Sequence, residues 1–355
     1  MTKAIVIGVA GQDGSYLAEF LLRKGYEVLG LTRFHSAEFG SNLSDAYNYG
    51  LRVMNVDITD AQTLVETIAR FQPDEVYNLA ALSFVGASWD SPGNVLDVNA
   101  KAVANLIQAC RISKEGVRLY QASSSEMYGN RLATAGSESA KPHKTNMMLV
   151  ADDLMEPRSP YGVSKMAAHH LCRVARESHG QYVVGGICFN HESERRGAQF
   201  VTRKIAMGLA MVKKGMISNI PLGNLDAYRD WGYAPEYVAG MWRMLQQDEP
   251  PKDFILATGK AYSVRDFLNT CASFMDLPRP GEEYAVQAAG LVRPAEVWHL
   301  VGDTLPATTY LGWTASVEFE ELVGRMAASE LAKQGFEPPS MFPPVEELPS
   351  WKTAE

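Results

Sequence analysis

Only four cysteines occur in 355 residues, Cys110, Cys172, Cys188 and Cys271, and none stands at a metal-ligand spacing. No metal site is therefore expected, and the four read as reduced, mostly buried thiols of a cytoplasmic protein. Long apolar runs are missing too, so no segment is expected to cross a membrane. The N-terminus runs straight into strand-like sequence, without the pattern of a signal peptide. Positive charge is not in excess: 33 Lys and Arg against 41 Asp and Glu leave a net charge of −8. That charge is spread along the chain, which argues against general nucleic-acid binding but leaves room for a local basic pocket for an anionic ligand. Repeats and low-complexity tracts are absent. With 46% hydrophobic and 21% charged residues the composition is that of an ordinary globular protein. The length exceeds what one hydrophobic core usually serves, so one large or two coupled domains are expected.

What is present first is βα alternation. Strand-like runs at Lys3–Gly8, Tyr26–Leu31, Leu51–Val56, Glu75–Leu79 and Arg118–Ala122 alternate with helical periodicity at Ser15–Lys24, Thr63–Phe71 and Val95–Cys110. A long helix over Tyr161–Ser178 and a strand over Val183–Phe189 follow. This pattern predicts an α/β fold of the Rossmann type, a doubly wound parallel sheet. After about residue 190 the order is less regular, with helices expected at Thr202–Lys214, Pro235–Gln247, Ser263–Phe274, Asp303–Leu311 and Phe319–Lys333. We read 1–190 as a dinucleotide-binding domain to which later segments return. Residues 191–337 read as a smaller C-terminal α/β substrate-binding domain. Residues 338–355, rich in Pro and Glu, read as a loosely held tail. The stretch Asn130–Glu156 has no clear period and reads as a flap or surface insertion.

Gly8-Val-Ala-Gly11-Gln12-Asp13-Gly14 follows the first strand and opens the first helix. Gly8 and Gly11 permit a tight turn and close approach to a pyrophosphate, and Gly14 lets the helix pack on the sheet. The spacing is GxxGxxG rather than GxGxxG, and its strand–loop–helix setting gives it weight. Arg33 ends the second strand, where an adenosine ribose is expected. A cation there suits a 2′-phosphate and favours NADP over NAD; the plain alternative is a solvated surface arginine. Asp57-Ile58 follows the third strand and is placed to flank the adenine. Leu79-Ala80-Ala81 follows the fourth, where small residues allow the cofactor close, although alanines there also suit ordinary packing.

Tyr161-Gly-Val-Ser-Lys165 places a phenol and an ammonium on one helix face. The ammonium is expected to stabilise a phenolate and lower the tyrosine pKa. Such a base takes a proton from a sugar hydroxyl while hydride leaves the same carbon. Ser124 is placed to hydrogen-bond the resulting carbonyl oxygen. Glu126 supplies a second acid/base, which simple alcohol oxidation does not need, so oxidation followed by a further proton transfer is implied. A YxxxK alone is weak, and its bland reading is a helix start after Pro160.

With these pieces assembled, the chain resembles the extended short-chain dehydrogenase/reductases and, within them, the GDP-mannose 4,6-dehydratase family. The similar stretches run from about Ile5 to Leu331. They include Gly11-Gln-Asp-Gly-Ser-Tyr-Leu17, Ser83-Phe-Val-Gly-Ala-Ser-Trp89, Tyr120-Gln-Ala-Ser-Ser-Ser-Glu-Met-Tyr-Gly129 and Pro157-Arg-Ser-Pro-Tyr-Gly162. Phe189-Asn-His-Glu-Ser193, Phe200-Val-Thr-Arg-Lys204, Leu222-Gly-Asn-Leu-Asp-Ala227 and Arg229-Asp-Trp-Gly232 are the more specific ones, and Arg293-Pro-Ala-Glu296 follows them. The resemblance implies that Tyr161 acts at the 4-hydroxyl with Lys165 beneath it, both touching the cofactor. It implies that Glu126 acts at C5 and C6, with Ser124 beside it against the substrate. His191 and Arg196 fall at cofactor contacts, and Ser83 at both cofactor and substrate. Asn190, Val201, Lys204, Leu222, Gly223, Arg229, Arg293 and Glu296 fall where the family binds its nucleotide sugar. Residue chemistry supports part of this, since Lys204, Arg229 and Arg293 suit a pyrophosphate and Glu296 suits ribose hydroxyls. Taken singly, Val201, Leu222 and Trp231 fit a core better than a ligand contact.

Three departures are visible. Ser124 stands where the family usually has threonine, keeping the hydroxyl. The Asn130–Glu156 stretch is longer than usual and lies just before the catalytic tyrosine. Arg33-Phe34 replaces the usual arginine pair. The implied reaction is dehydration of GDP-mannose to its 4-keto-6-deoxy product with NADP and no net redox change. Dehydration of a related sugar such as a GDP-heptose, 4-epimerisation of a nucleotide sugar, and a non-catalytic NADP-binding protein remain as other readings. The resemblance also implies a homodimer or homotetramer, built through helices beside the YxxxK segment.

Overall fold

Lys3–Ile7 is apolar on both faces and becomes β1, buried from Ala4 onward. Such two-sided burial is what a parallel sheet flanked by helices imposes. The computed structural model describes residues 1–33, 41–131, 147–248, 250–339 and 341–352. The strands are β1, β2 (Glu27–Thr32), β3 (Arg52–Asn55), β4 (Glu75–Asn78), β5 (Arg118–Ser124), β6 (Val183–Cys188) and, much later, β10 (Phe254–Leu256). They form one seven-stranded sheet in the order β10-β6-β5-β4-β1-β2-β3, and every pairing in it is parallel. The order reverses between β1 and β4, and the crevice above such a switch point is where α/β sheets bind ligands. The doubly wound Rossmann-type fold expected from the sequence is therefore present.

Three helices matter for the site. α1 (Gln12–Arg23) starts three residues earlier than its periodicity suggests, directly from Gly11. The second runs from Pro92 to Ser113 in three parts: α2 (Pro92–Leu96), a π-helical turn (Asp97–Lys101) and α3 (Ala102–Ser113). A single helix over Val95–Cys110 is thus corrected to one with a bulge. α4 (Pro160–His179) begins where its local chemistry dictates. Ser159 caps it by accepting the Gly162 N–H at 3.0 Å, and Pro160 presets its first turn. Gly180 ends it in the left-handed conformation.

Beyond β6, Asn190–Glu192 (β7), Tyr228–Tyr233 (β9), Ala261–Ser263 (β11) and His299–Leu300 (β13) make a four-stranded sheet. Ile220–Leu222 (β8) pairs with Ala285–Gln287 (β12) in a separate ribbon. The helices Val201–Lys213 (α5), Ala234–Leu245 (α6), Val264–Phe274 (α7) and Phe319–Lys333 (α8) pack around these strands. Trp231 lies buried against Phe267 and Phe319, so it is core, as its chemistry suggests.

The loosely held tail is not what residues 341–352 form. Trp351 is buried, its Nε1 donates to the Pro235 carbonyl at 2.7 Å, and its ring meets Phe20 edge-on at 5.2 Å. Phe342 stacks on Phe274, and Arg325 donates to the Pro343 carbonyl. One large aromatic outweighs the polar, proline-rich composition around it. Of the Asn130–Glu156 stretch, 132–146 lie outside the described residues, as does Phe34. Within the remainder, Leu149 is fully buried and bridges to Gly302, and Tyr128 donates to the Ala151 carbonyl. All four cysteines are buried thiols, as expected.

Candidate active site

The cradle begins at Gly8. Its φ of +83° is a left-handed value, and a Cβ there would lie 2.8 Å from the Ala80 nitrogen. The β1 turn and the end of β4 therefore meet backbone to backbone at the switch point, a closeness only glycine permits. At Gly14 a Cβ would fall 2.2 Å from the Gly8 carbonyl oxygen, so the first turn of α1 presses on the loop. The α1 N–H groups open onto this cradle, which fits a dinucleotide pyrophosphate. At its far end Arg33 follows β2 and stands 3.9 Å from Asp57, both half exposed. Thr59 donates to Asp57 through its N–H and hydroxyl, and those bonds with Arg33 hold the carboxyl below its usual range. Ile58 is buried beside it, while Leu79, Ala80 and Ala81 are half-buried along the crevice.

Sequence reading missed what holds that crevice open. Asn99, fully enclosed in the π-helical turn, accepts the Leu82 N–H at 2.8 Å and donates to the Leu82 carbonyl and to Ser164 of α4. It thereby ties the loop bearing Ser83, which is exposed, to the helix bearing Tyr161 and Lys165. A π-bulge inserts one residue into the helical ladder and re-aims a side chain. No periodicity in the sequence announces it.

The first turn of α1 also grips the NHES stretch. His191 Nε2 donates to Asp13 Oδ2 at 2.8 Å and its Nδ1 donates to the Phe189 carbonyl at 2.7 Å, so both nitrogens carry protons. Burial opposes charge on each partner, but their mutual attraction wins: Asp13 is held below and His191 above its ordinary value. Gln12 donates to Asp13 and to the His191 carbonyl and accepts from Ser193. Arg196 pairs with Glu192 at 3.0 Å and lies over the Phe200 ring. Of the residues assigned to the cofactor, Gln12, Asp13 and His191 are thus joined in one network, and Arg196 is held apart on Glu192 and Phe200.

Ser124 ends β5, and Ser125–Met127 turns tightly after it because Ser124 Oγ accepts the Glu126 N–H. Tyr161 rises from the first turn of α4 beside this corner. Lys165, one turn on, donates to the Ala122 carbonyl at 2.8 Å and its ammonium stands 5.8 Å from the Tyr161 ring centroid. The four residues expected to act together are brought together. The expected lowering of the tyrosine pKa is not found: burial drives Tyr161 up to about 12, against the hydrogen bond of Ser124 and the charge of Arg196. Burial also brings Lys165 down to about 8.

Glu126 is held differently from the way the sequence suggests. Arg293 Nη1 donates to Glu126 Oε1 at 3.0 Å. Burial works to raise the Glu126 pKa, but Arg293 and Arg229 outweigh it and keep the carboxyl ionised below its usual range. Arg229 itself stands 3.6 Å from Glu296. Two of the three cations assigned to a pyrophosphate are therefore engaged with carboxylates. Lys204, half-buried in the first turn of α5, has no anionic partner among the described residues, and burial lowers its pKa. Val201, where α5 starts, is 37% exposed and not core, whereas Leu222 is buried. Gly223 is held tightly, since a Cβ there would lie 2.4 Å from the Leu291 carbonyl oxygen. Asn190 opens β7, next to Trp231 of β9. Asn130, not foreseen as a site residue, donates to the Glu296 carbonyl and accepts the Trp298 N–H, joining the Glu126 corner to the segment that bears Glu296 and leads into β13.

Among the described residues no cluster of metal-ligating side chains occurs, and no helix is long and apolar enough to cross a membrane. Residues 5–326 match the family described as GDP-mannose 4,6 dehydratase. A GDP-mannose 4,6-dehydratase of Vibrio cholerae is 39% identical over 93% of this chain and 94% of its own. GDP-mannose 4,6 dehydratase 2 of Arabidopsis thaliana is 42% identical over 92% of this chain and 86% of its own. Among solved structures, UDP-glucuronic acid 4-epimerase from Bacillus cereus, in complex with UDP-glucuronic acid and NAD, superposes with a TM-score of 0.78 at 20% identity. It covers 94% of this chain and 100% of its own. RMD from Pseudomonas aeruginosa, complexed with NADPH, has a TM-score of 0.73 at 21% identity, over 94% and 100%. At these identities the two structures speak for the fold alone.

Proposed function

The chain belongs to the GDP-mannose 4,6-dehydratase family, and from that premise we propose that it converts GDP-mannose to GDP-4-keto-6-deoxymannose and water. The observation that carries this reading is the meeting of Ser124, Glu126 and Tyr161 at the end of β5, with Lys165 one turn behind. A 4-epimerase needs the tyrosine, lysine and hydroxyl but not a second buried acid/base.

A bound nicotinamide dinucleotide would supply the acceptor for the C4 hydride and the donor of the same hydride to C6. Tyr161 removes the proton of the 4-hydroxyl, with Ser124 donating to the carbonyl oxygen that forms. The 4-ketone acidifies C5. Glu126, ionised at the start, takes the C5 proton and then delivers it to the C6 hydroxyl, which leaves as water. Tyr161 returns its proton at C5. Water is kept away by a cleft between the parallel sheet and the strands after β6.

Gly8, Gly11 and Gly14 would cradle the pyrophosphate of the cofactor, Arg33 and Asp57 would flank its adenosine, and His191 and Arg196 would make further contacts with it. NADP is preferred over NAD because Arg33 offers a cation to a 2′-phosphate, although Asp57 competes for it. Lys204, Arg229 and Arg293 serve the diphosphate of the substrate, and Glu296 its ribose. A homodimer or larger assembly through α3 and α4 is supported by the exposed Ile112, Val163 and Val174 on these helices. Four buried thiols suit the reducing cytoplasm.

Purified protein given GDP-mannose and catalytic NADP⁺ tests the reading. The expected product is lighter by one water with no net NADPH. An isomer of unchanged mass would point to epimerisation instead, and turnover of a GDP-heptose alone would move the substrate to that sugar.

A further inference from the structure

Glu126 has two duties in the proposed reaction that its surroundings oppose. It must accept a proton from carbon and then hold that proton long enough to give it to a departing hydroxyl. A carboxylate clamped at 3.0 Å by a guanidinium is a poor base and holds a proton badly. The clamp belongs to Arg293, which the substrate's diphosphate also requires. Arg229 is likewise drawn to Glu296, so the diphosphate meets a pocket whose arginines are already engaged.

We propose that Arg293 is exchanged: it holds Glu126 in the resting protein and is drawn off by the substrate's diphosphate, which frees Glu126 to carry the proton between C5 and C6. This rests on the dehydratase reading and deepens it. The geometry favours exchange over a permanent clamp. The Arg293 side chain is 28% exposed and the Glu126 side chain 10%, so the cation, not the carboxylate, is the partner accessible to an incoming anion. No further hydrogen bond is recorded for the Arg293 guanidinium among the described residues, whereas Arg229 is also anchored on the Tyr228 carbonyl. The charged and titratable groups around Glu126 are Arg293, Arg229 and the Tyr161 phenol. Glu296 faces both arginines, and His299 faces Arg229 from the neighbouring strand. When Arg293 turns to the diphosphate, Glu126 is left with burial and the more distant Arg229, and its proton affinity rises. Asn130 keeps the Glu296 segment in register with the Glu126 corner during the exchange.

The consequence, at a pH low enough for the freed carboxyl to titrate, is a proton taken from solvent on binding. That protonated fraction is the idle form on the acid limb, because Glu126 must be ionised to take the C5 proton. The uptake is read on NADP-loaded protein carrying Tyr161→Phe, which binds GDP-mannose without oxidising it. Calorimetric titration at about pH 6, in two buffers of different ionisation enthalpy, reports the protons exchanged. The substrate, a diphosphate esterified at both ends and fully ionised at this pH, contributes none itself. Net uptake of a substantial fraction of one proton is expected, and it should disappear in the Tyr161→Phe/Glu126→Gln double variant, which keeps the shape of the site. Binding of GDP-mannose with no uptake, or with the same uptake after Glu126→Gln, overturns the exchange and leaves the substrate reading standing. If another nucleotide sugar binds with Glu126-dependent uptake and GDP-mannose does not, the exchange stands and the substrate reading falls. In the otherwise intact protein, Arg293→Gln should raise KM more than tenfold. It should also move the acid limb of kcat/KM to higher pH, toward the limb seen in kcat of the parent. A rise in KM with an unmoved limb contradicts the proposal.

Discussion

His191 Nε2 donates to Asp13 Oδ2 at 2.8 Å, joining residues 178 positions apart. The first turn of α1 and β7 are thereby one unit. A shift in either moves the other.

The pair predicts a pH-dependent stability. His191 is raised, so its share is complete below the ordinary imidazole pKa and fades as pH climbs through the raised value. Asp13 is lowered, so its share is complete above the ordinary carboxyl pKa and fades as pH falls through the lowered value. The pair is at full strength between about pH 4 and 6.5. Asp13→Asn should cost about 1–3 kcal/mol near the acid end of neutrality and distinctly less at about pH 9. Urea unfolding at both pH values checks this, and an equal loss at both would contradict it.

Glu126→Gln should leave the first oxidation and stop elimination. Rapid mixing of the NADP-loaded variant with GDP-mannose should show reduced nicotinamide appearing and persisting, without dehydrated product. Product formed at the parent rate would remove Glu126 from the mechanism.

Ser124 is expected to need its hydroxyl and not its size. Ser124→Ala should lower kcat about 10²-fold, as loss of a donor to a developing oxyanion does. Ser124→Thr should stay close to the parent, because the hydroxyl is retained. Steady-state kinetics of the two side by side separate hydrogen bonding from packing.

The C-terminal residues are predicted to be structural. Trp351→Ala removes a buried ring and its bond to the Pro235 carbonyl. It should destabilise by about 3–5 kcal/mol, measured as a fall in Tm. No change in Tm would mean the segment is held as loosely as its composition suggests.

Much of the fold was legible because its signals are local. β1 and β6 read as continuous apolar runs since both faces are covered, and Ser159-Pro160 marks the start of α4. Gly8 and Gly14 stand where only glycine fits between a strand and a helix. The meeting of four polar side chains was legible for the same reason, with Ser124 and Glu126 in one turn and Tyr161 and Lys165 in another. What escaped depends on contacts between distant segments. The pairing of Arg293 with Glu126 spans 167 positions, and nothing near either residue reveals it. The π-helical turn that aims Asn99 keeps ordinary helical composition. Burial of Tyr161 outweighs the ammonium that spacing alone suggested would lower its pKa. Val201 reads as core by chemistry, yet α5 begins there and leaves it exposed.

The central claim is that one hydride leaves C4 and returns to C6 of the same sugar. GDP-mannose carrying deuterium at C4 tests it most directly, with NMR of the product as readout. The account predicts the label at C6 of a 4-keto product, with none passed to the NADPH pool. Label returned to C4 of an isomerised sugar, or lost to free NADPH, would contradict it.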